Sequence, residues 1–261
     1  YKEEKRDDVF AATPETSFTR FVLSEAASNE GWAVLILDVS VAFMHARLDE
    51  EIVVKPPPGV KTSKYWRLKA AVNGIQRASQ LWQEHSAGEL IKDEWSRNDV
   101  NPCVFYHPEL LVQLEQHGDD FFGTGPRESV LAAKHMLEES FLVKKTEVIS
   151  LHPDDDKEGH FLKRHITVDK DGWHSELDER YSKDLVTRLG LDDCKNVITP
   201  GTKEGKKQPR GKALGAKGHR EYRGGAGVGQ YMAEHRADAA FATKQLMRDA
   251  SAVRRASQPR A

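Results

Sequence analysis

The stretch His117-Gly118-Asp119-Asp120-Phe121-Phe122-Gly123 sets two adjacent carboxylates between a glycine and a pair of aromatic rings. Taken alone it reads as a surface hairpin turn, because Gly and Asp adopt turn geometry at little cost. A third carboxylate alters that reading. Asp38 ends the apolar run Ala33-Val34-Leu35-Ile36-Leu37, and a carboxylate in such a strand is costly unless it is paired or bound to a metal. Successive side chains of a strand point to opposite faces, so only at a turn can Asp119 and Asp120 both approach one cation. Gly118 supplies the positive φ or close backbone approach that such a turn needs.

Working outward, Phe18, Phe21, Val22 and Ala26 fall at helical spacing and predict a helix over 17–28, with Thr16 or Ser17 as its N-cap. Gly31 ends it, and residues 32–39 read as a strand buried on both faces. Lys55-Pro56-Pro57-Pro58-Gly59 is a rigid connector near polyproline geometry. A short strand is expected at 65–68, a turn at 71–74, and a helix over 76–91 carrying Leu81, Trp82, Leu90 and Ile91. Strands at 103–106 and 110–114 follow, the second leading directly into the carboxylate pair. Further on come a helix over 129–141, a strand over 161–168 and a hairpin turn at Asp169-Lys170-Asp171-Gly172. A helix over 181–189 is closed by Gly190. After Pro200 the chain reads as a Gly/Lys linker, and a last helix covers 231–247.

With 261 residues the chain can form one large domain, or one domain and an appendage. Its apolar runs are too short for a membrane span or a secretory signal, which predicts a soluble, intracellular protein with no membrane partner. Cys103 and Cys194 are far apart and predict neither a disulfide nor a zinc site, only buried or half-buried thiols. The formal net charge of −2 is uninformative about polyanionic partners, but its distribution is not. Lys203, Lys206, Lys207, Arg210, Lys212, Lys217 and Arg220 crowd one Gly-rich stretch whose single acid is Glu204. Residues 1–8 are charged and ragged, as if cut from a larger protein.

Brought together, Asp38, Asp119 and Asp120 demand divalent counter-charge, and oxygen-only ligands favour magnesium or manganese over zinc. Two such ions, about 3.5 to 4 Å apart, stabilise the attacking and leaving oxygens of phosphoryl displacement. Nucleases and phosphatases use the same trio, but a nuclease needs a water-activating base that the sequence does not identify; His160 and His165 are too weakly spaced to argue a metal site. The order of elements is more selective. A helix, a strand ending in Asp, a long helix and a hairpin with two Asp is the order of a right-hand polymerase palm.

Residues 38–52, beginning Asp38-Val39-Ser40-Val41-Ala42-Phe43, with Lys55-Pro56-Pro57-Pro58-Gly59 after them, closely resemble the first catalytic motif of copia-type LTR-retrotransposon reverse transcriptases. Gly74 through Trp82 and Asp99 through Phe105 resemble that family's second motif and the helix and strand after it. Tyr181–Val186, Leu189-Gly190-Leu191, Cys194 and Thr199-Pro200 match its pattern beyond the palm, and Tyr231 with Arg236–Ala242 resembles the segment leading toward RNase H. The resemblance implies an α+β fold: a ferredoxin-like antiparallel palm sheet with helices on one face, partial fingers and the start of a thumb or connection. It implies partial fingers and palm over 1–160, the end of the palm and the thumb start over 161–200, and a basic linker and helix over 201–261.

By the same resemblance, Asp38, Asp119 and Asp120 are the metal-binding catalytic acids of an RNA-directed DNA polymerase, holding two Mg2+ or Mn2+ ions with help from the Val39 carbonyl. Phe43 is the steric gate that selects dNTPs, and Gln76 and Arg77 occupy the substrate-contacting part of the second motif. The implied partners are an RNA or DNA template-primer, dNTP, and the integrase and RNase H domains of a Pol polyprotein. An active element would place it in a cytoplasmic virus-like particle. The sequence departs from the family at His117 and Gly118, where an apolar pair is usual, so a less buried hairpin is expected, and at Arg77 and Ser79, where Gln and Pro are usual. The basic fingers segment is expected upstream of residue 1. A catalytically inactive remnant that at most binds nucleic acid through its basic stretch is the competing expectation.

Overall fold

The computed structural model describes residues 9–195, 213–248 and 250. The chain divides into two compact units, one drawn from Tyr1–Phe161 and Ile166–His174, the other from Leu162–His165 and Ser175–Ala261.

The first unit opens with helix α1 (Thr16–Ser28), which buries Thr19, Val22 and Ala26. The expected helix is present but turned: Phe21 is exposed, and the flanking residue is Glu15, which makes no side-chain cap. Strand β1 (Trp32–Val39) buries every residue from Ala33 to Leu37. A 3-10 turn, Ala42–His45, follows, and the two-residue strands β2 (Val53–Val54) and β3 (Trp66–Arg67) pair around the proline loop. Then come α2 (Ala78–Lys92), β4 (Ser96–Arg97), β5 (Val104–His107), β6 (Val112–His117), β7 (Asp120–Pro126), α3 (Arg127–Ser140) and β8 (Val143–Ile149).

Six strands form one sheet in the order β4-β5-β6-β7-β1-β8, with antiparallel neighbours throughout. The inner part runs β1-α2-β6-β7-α3-β8, so each helix carries the chain back across the sheet. Leu35, Leu37, Leu114 and Phe121 meet Trp82 and Leu90 of α2 and Val130 and Leu137 of α3 in one buried cluster. The alternate residues face the other way, as strand periodicity requires. There Phe122 stacks on Phe161 with ring centroids 4.4 Å apart, and Thr19 of α1 donates to Glu115 at 2.8 Å. Helices α2 and α3 pack in one cluster, while α1 lies against the other side of the strands, where it buries Val22 and Ala26 as well as Thr19.

Strand β8 was not expected from the sequence. It is an edge strand, and Lys144-Lys145 near its start are of the kind that blocks further pairing. The single strand expected over 161–168 is two, β9 (Glu158–Phe161) and β10 (Arg164–Asp169). They are joined by Leu162 and Lys163, whose φ values of 46° and 64° make a hairpin turn without any of the usual turn residues. β11 (Gly172–Leu177) completes a three-stranded sheet in the order β11-β10-β9, across the expected turn at 169–172.

In the second unit, α4 (Arg180–Arg188) ends before Gly190, whose φ is 64°. The expected final helix is two, α5 (Ala216–Ala233) and α6 (Ala237–Arg248), with Gly229 of α5 against Thr243 of α6. Lys217 and Arg220 thus lie on α5 rather than in a linker; residues 1–8 and the basic residues from Lys203 to Lys212 lie outside the described part. Cys103 is buried and Cys194 exposed, the latter against expectation. No helix among the described residues is long and apolar enough to cross a membrane.

Candidate active site

The site grows from the β1–β7 ladder, whose last aligned pair is Asp38 opposite Asp120. Asp119 stands beside them in the two-residue loop Gly118–Asp119, since His117 pairs with Asp120. Gly118 has φ 66°, so the glycine serves a loop position that needs positive φ. Three hydrogen bonds fix this loop. The Gly118 carbonyl accepts from Trp82 Nε1 at 2.7 Å and from Gln116 Nε2 at 3.3 Å, and the Asp119 carbonyl accepts from the Val39 amide at 3.0 Å. The hairpin was expected to be less buried, and at its tip it is: His117 and Asp120 are half-buried and Gly118 and Asp119 exposed. The polar residues just before it, Glu115 and Gln116, are wholly buried, the first bonded to Thr19 and the second accepting from Ser86 at 2.9 Å.

Like charges directly across a strand pair repel. The Asp120 carboxyl is accordingly pushed up to about 6, first by burial and then by the charges of Asp119 and Asp38, with Lys144 opposing. Lys144 is the local counter-charge. Its Nζ lies 2.8 Å from Asp38 Oδ2, and this bond, with the nearby carboxylates, raises its own pKa. The β1–β8 register slips here, from Asp38 opposite Lys145 to Val39 opposite Val143, which leaves Lys144 as the bulged residue. A bulge re-aims a side chain, here toward Asp38.

A cleft of about 880 Å³ opens at the hairpin loop, lined by Asp119, Gly118, Gln116, Phe43, Trp82 and Ser79 among others, whereas Asp38 and Asp120 are not part of its lining. Phe43 is half-buried on its wall. Val41, also on the wall, is held in the left-handed region at φ 46°, ψ 41°, an outlier for a β-branched residue and a form of strain that clusters at functional sites. Gln76 and Arg77 do not line this cleft. Gln76 is exposed, and Arg77 grips Asp49 through two bonds of 2.6 and 2.8 Å and bonds Gln80.

Among the described residues, no three His, Cys, Asp or Glu side chains are already gathered as a metal cage. The donor set nevertheless suits a hard divalent cation. It is all oxygen and sits at one end of adjacent strands, and burial, then the charges of Asp119 and Asp38, oppose the ionised form of Asp120, which a cation would favour. Sequence reasoning singled out the three aspartates and Phe43 as candidates, but not Lys144 beside Asp38 or the bonds that Trp82 and Gln116 make to the loop. The β-branched residues Val143, Thr146, Val148 and Ile149 were the available signal for β8 itself, though not for the bulge that aims Lys144.

The fold is a mixed α/β domain built on a mainly antiparallel sheet, with Asp38 and Asp120 paired across two of its strands and Asp119 at an open cleft. The family model for reverse transcriptase (RNA-dependent DNA polymerase) matches residues 1–203, and the chain belongs to that family. It is 28% identical over 255 residues to the retrovirus-related Pol polyprotein from transposon RE2 of Arabidopsis thaliana, covering 92% of this chain and 16% of that protein. It is 27% identical to the corresponding polyprotein from transposon TNT 1-94 of Nicotiana tabacum, over 74% of this chain and 14% of the relative. The Ty1-BR Gag-Pol polyprotein of Saccharomyces cerevisiae is 23% identical over 74% of this chain and 10% of its own length. These relatives bear out the resemblance to copia-type LTR-retrotransposon reverse transcriptases. The chain spans a sixth or less of their length.

Proposed function

We propose that the first unit is the palm of an RNA-directed DNA polymerase, extending a primer on an RNA or DNA template with dNTPs, within a larger Pol polyprotein that also carries integrase and RNase H domains. The observation that carries this reading is the pairing of Asp38 with Asp120 across β1 and β7, with Asp119 in the adjoining loop at the cleft. The element order β1-α2-β6-β7-α3-β8, with β1 between β7 and β8, supports a ferredoxin-like palm.

In this reading Asp38, Asp119 and Asp120 hold two magnesium or manganese ions, with the Val39 carbonyl assisting. When bound, these ions lower the pKa of the primer 3′-hydroxyl and neutralise the triphosphate. Trp82 and Gln116 keep Asp119 in place by fixing the Gly118 carbonyl. Phe43 presents its ring to the incoming sugar and excludes a ribose 2′-hydroxyl. Gln76 stays available to substrate, while Arg77 braces the Asp49 loop.

Purified chain should incorporate dNTPs on a primed template with Mg2+ or Mn2+, and Asp119→Asn should abolish this. Equal incorporation by the variant would overturn the metal assignment. Steeply salt-dependent nucleic-acid binding without extension would instead favour an inactive remnant.

A further inference from the structure

Lys144 is a residue that the polymerase reading does not use. It is the bulged member of β8 and is bonded to one of the three carboxylates at 2.8 Å. Its neighbour Lys145 is aimed elsewhere, onto Glu147 at 2.6 Å, so the bulge separates two adjacent lysines and delivers only one to the acidic cluster. The Lys144 side chain is 69% exposed whereas Asp38 is only 26% exposed. The ammonium therefore sits at the end of a solvated arm that can withdraw without unpacking anything. The carboxylate is the anchored partner.

We propose that Lys144 is a built-in counter-cation that holds Asp38 while no divalent ion is bound, so that an incoming ion must take Asp38 from it. This inference rests on the polymerase reading of Asp38, Asp119 and Asp120. One positive charge on Asp38 partly offsets repulsion among the carboxylates. A divalent ion offers twice the charge and can be shared, whereas an ammonium point charge is strongly hydrated and an exposed ion pair is weak. Lys144 is thus a displaceable placeholder rather than a plug, and it sets the cation concentration at which the site fills.

The test is Mn2+ binding to the full chain, followed by loss of the free-ion electron paramagnetic resonance signal, with no nucleotide or primer present. Lys144→Met should bind Mn2+ about fivefold more tightly, the order expected for release of one half-exposed ion pair. Lys144→Arg keeps the charge and should bind as wild type does. Asp38→Asn and Asp120→Asn should lose the site. Unchanged or weaker binding by Lys144→Met, with the aspartate variants still defective, overturns the placeholder role and leaves the polymerase reading standing. Binding that ignores both aspartates overturns both.

Discussion

Asp120→Asn should make the metal-free protein more stable while removing its proposed activity. Asp120 is half-buried and its carboxyl is pushed from 3.8 up to about 6 by burial and by Asp119 and Asp38. The folded state therefore holds this proton more tightly than the unfolded chain does, and ionising Asp120 opposes folding. The penalty is absent below about pH 4, grows as the pH rises through 6, and is complete above that. A shift of about two units corresponds to roughly 3 kcal/mol at most, at ~1.4 kcal/mol per unit. Partial exposure reduces this to about 1–2 kcal/mol.

Urea unfolding in EDTA, followed by tryptophan fluorescence, measures the effect. At pH 7.5 the variant should be more stable than wild type by that amount with an unchanged slope, and the gap should close by about pH 4. Taking the difference between the two proteins cancels every other titrating group. Added Mg2+ should stabilise wild type alone and narrow the gap. A variant no more stable at pH 7.5, or a gap that does not vary with pH, would refute the claim that burial and the neighbouring carboxylates oppose ionisation of Asp120 in the fold.

Trp82→Phe keeps most of the buried ring but loses the 2.7 Å bond to the Gly118 carbonyl; a stability loss of about 1–2 kcal/mol in urea unfolding is expected, and no loss would remove Trp82 as the strut of the loop. Gly123→Ala would set a Cβ 2.5 Å from the Gln113 carbonyl oxygen, which is backbone and cannot yield, whereas Gly118→Ala meets nothing within 4 Å. The first should cost more than about 2 kcal/mol by overpacking and the second about 1–2 kcal/mol from positive φ alone, so equal costs in thermal melts would contradict the packing of β6 on β7. Phe43→Val should raise ribonucleotide over deoxyribonucleotide incorporation at least about tenfold if the cleft-facing ring costs the ribose ~1.4 kcal/mol or more; an unchanged ratio in single-nucleotide extension would remove Phe43 as the gate.

What the sequence made legible divides along the range of the interactions involved. Strand β1 is a run of apolar residues and the β6–β7 loop is a Gly-Asp pair, so their existence follows from local pattern. That Asp38 would face Asp120 required only that these two strands pair antiparallel. Lys144 could not be found this way, because its meaning comes from a one-residue register slip against β1, and nothing in Val143-Lys144-Lys145-Thr146 announces a bulge. The polar residues before the hairpin are a related case. Glu115 and Gln116 look solvated in sequence, yet Thr19 and Ser86, on two different helices, arrive to bond them, and a buried polar group with a partner carries little penalty. These polar contacts also have a consequence for the site. Ser86 and Trp82 lie one turn apart on α2, so the helix that packs the core through Trp82 also grips Gln116 and the Gly118 carbonyl. The position of Asp119 is therefore coupled to core packing, and a core substitution on α2 distant from any carboxylate should move the site before it unfolds the sheet.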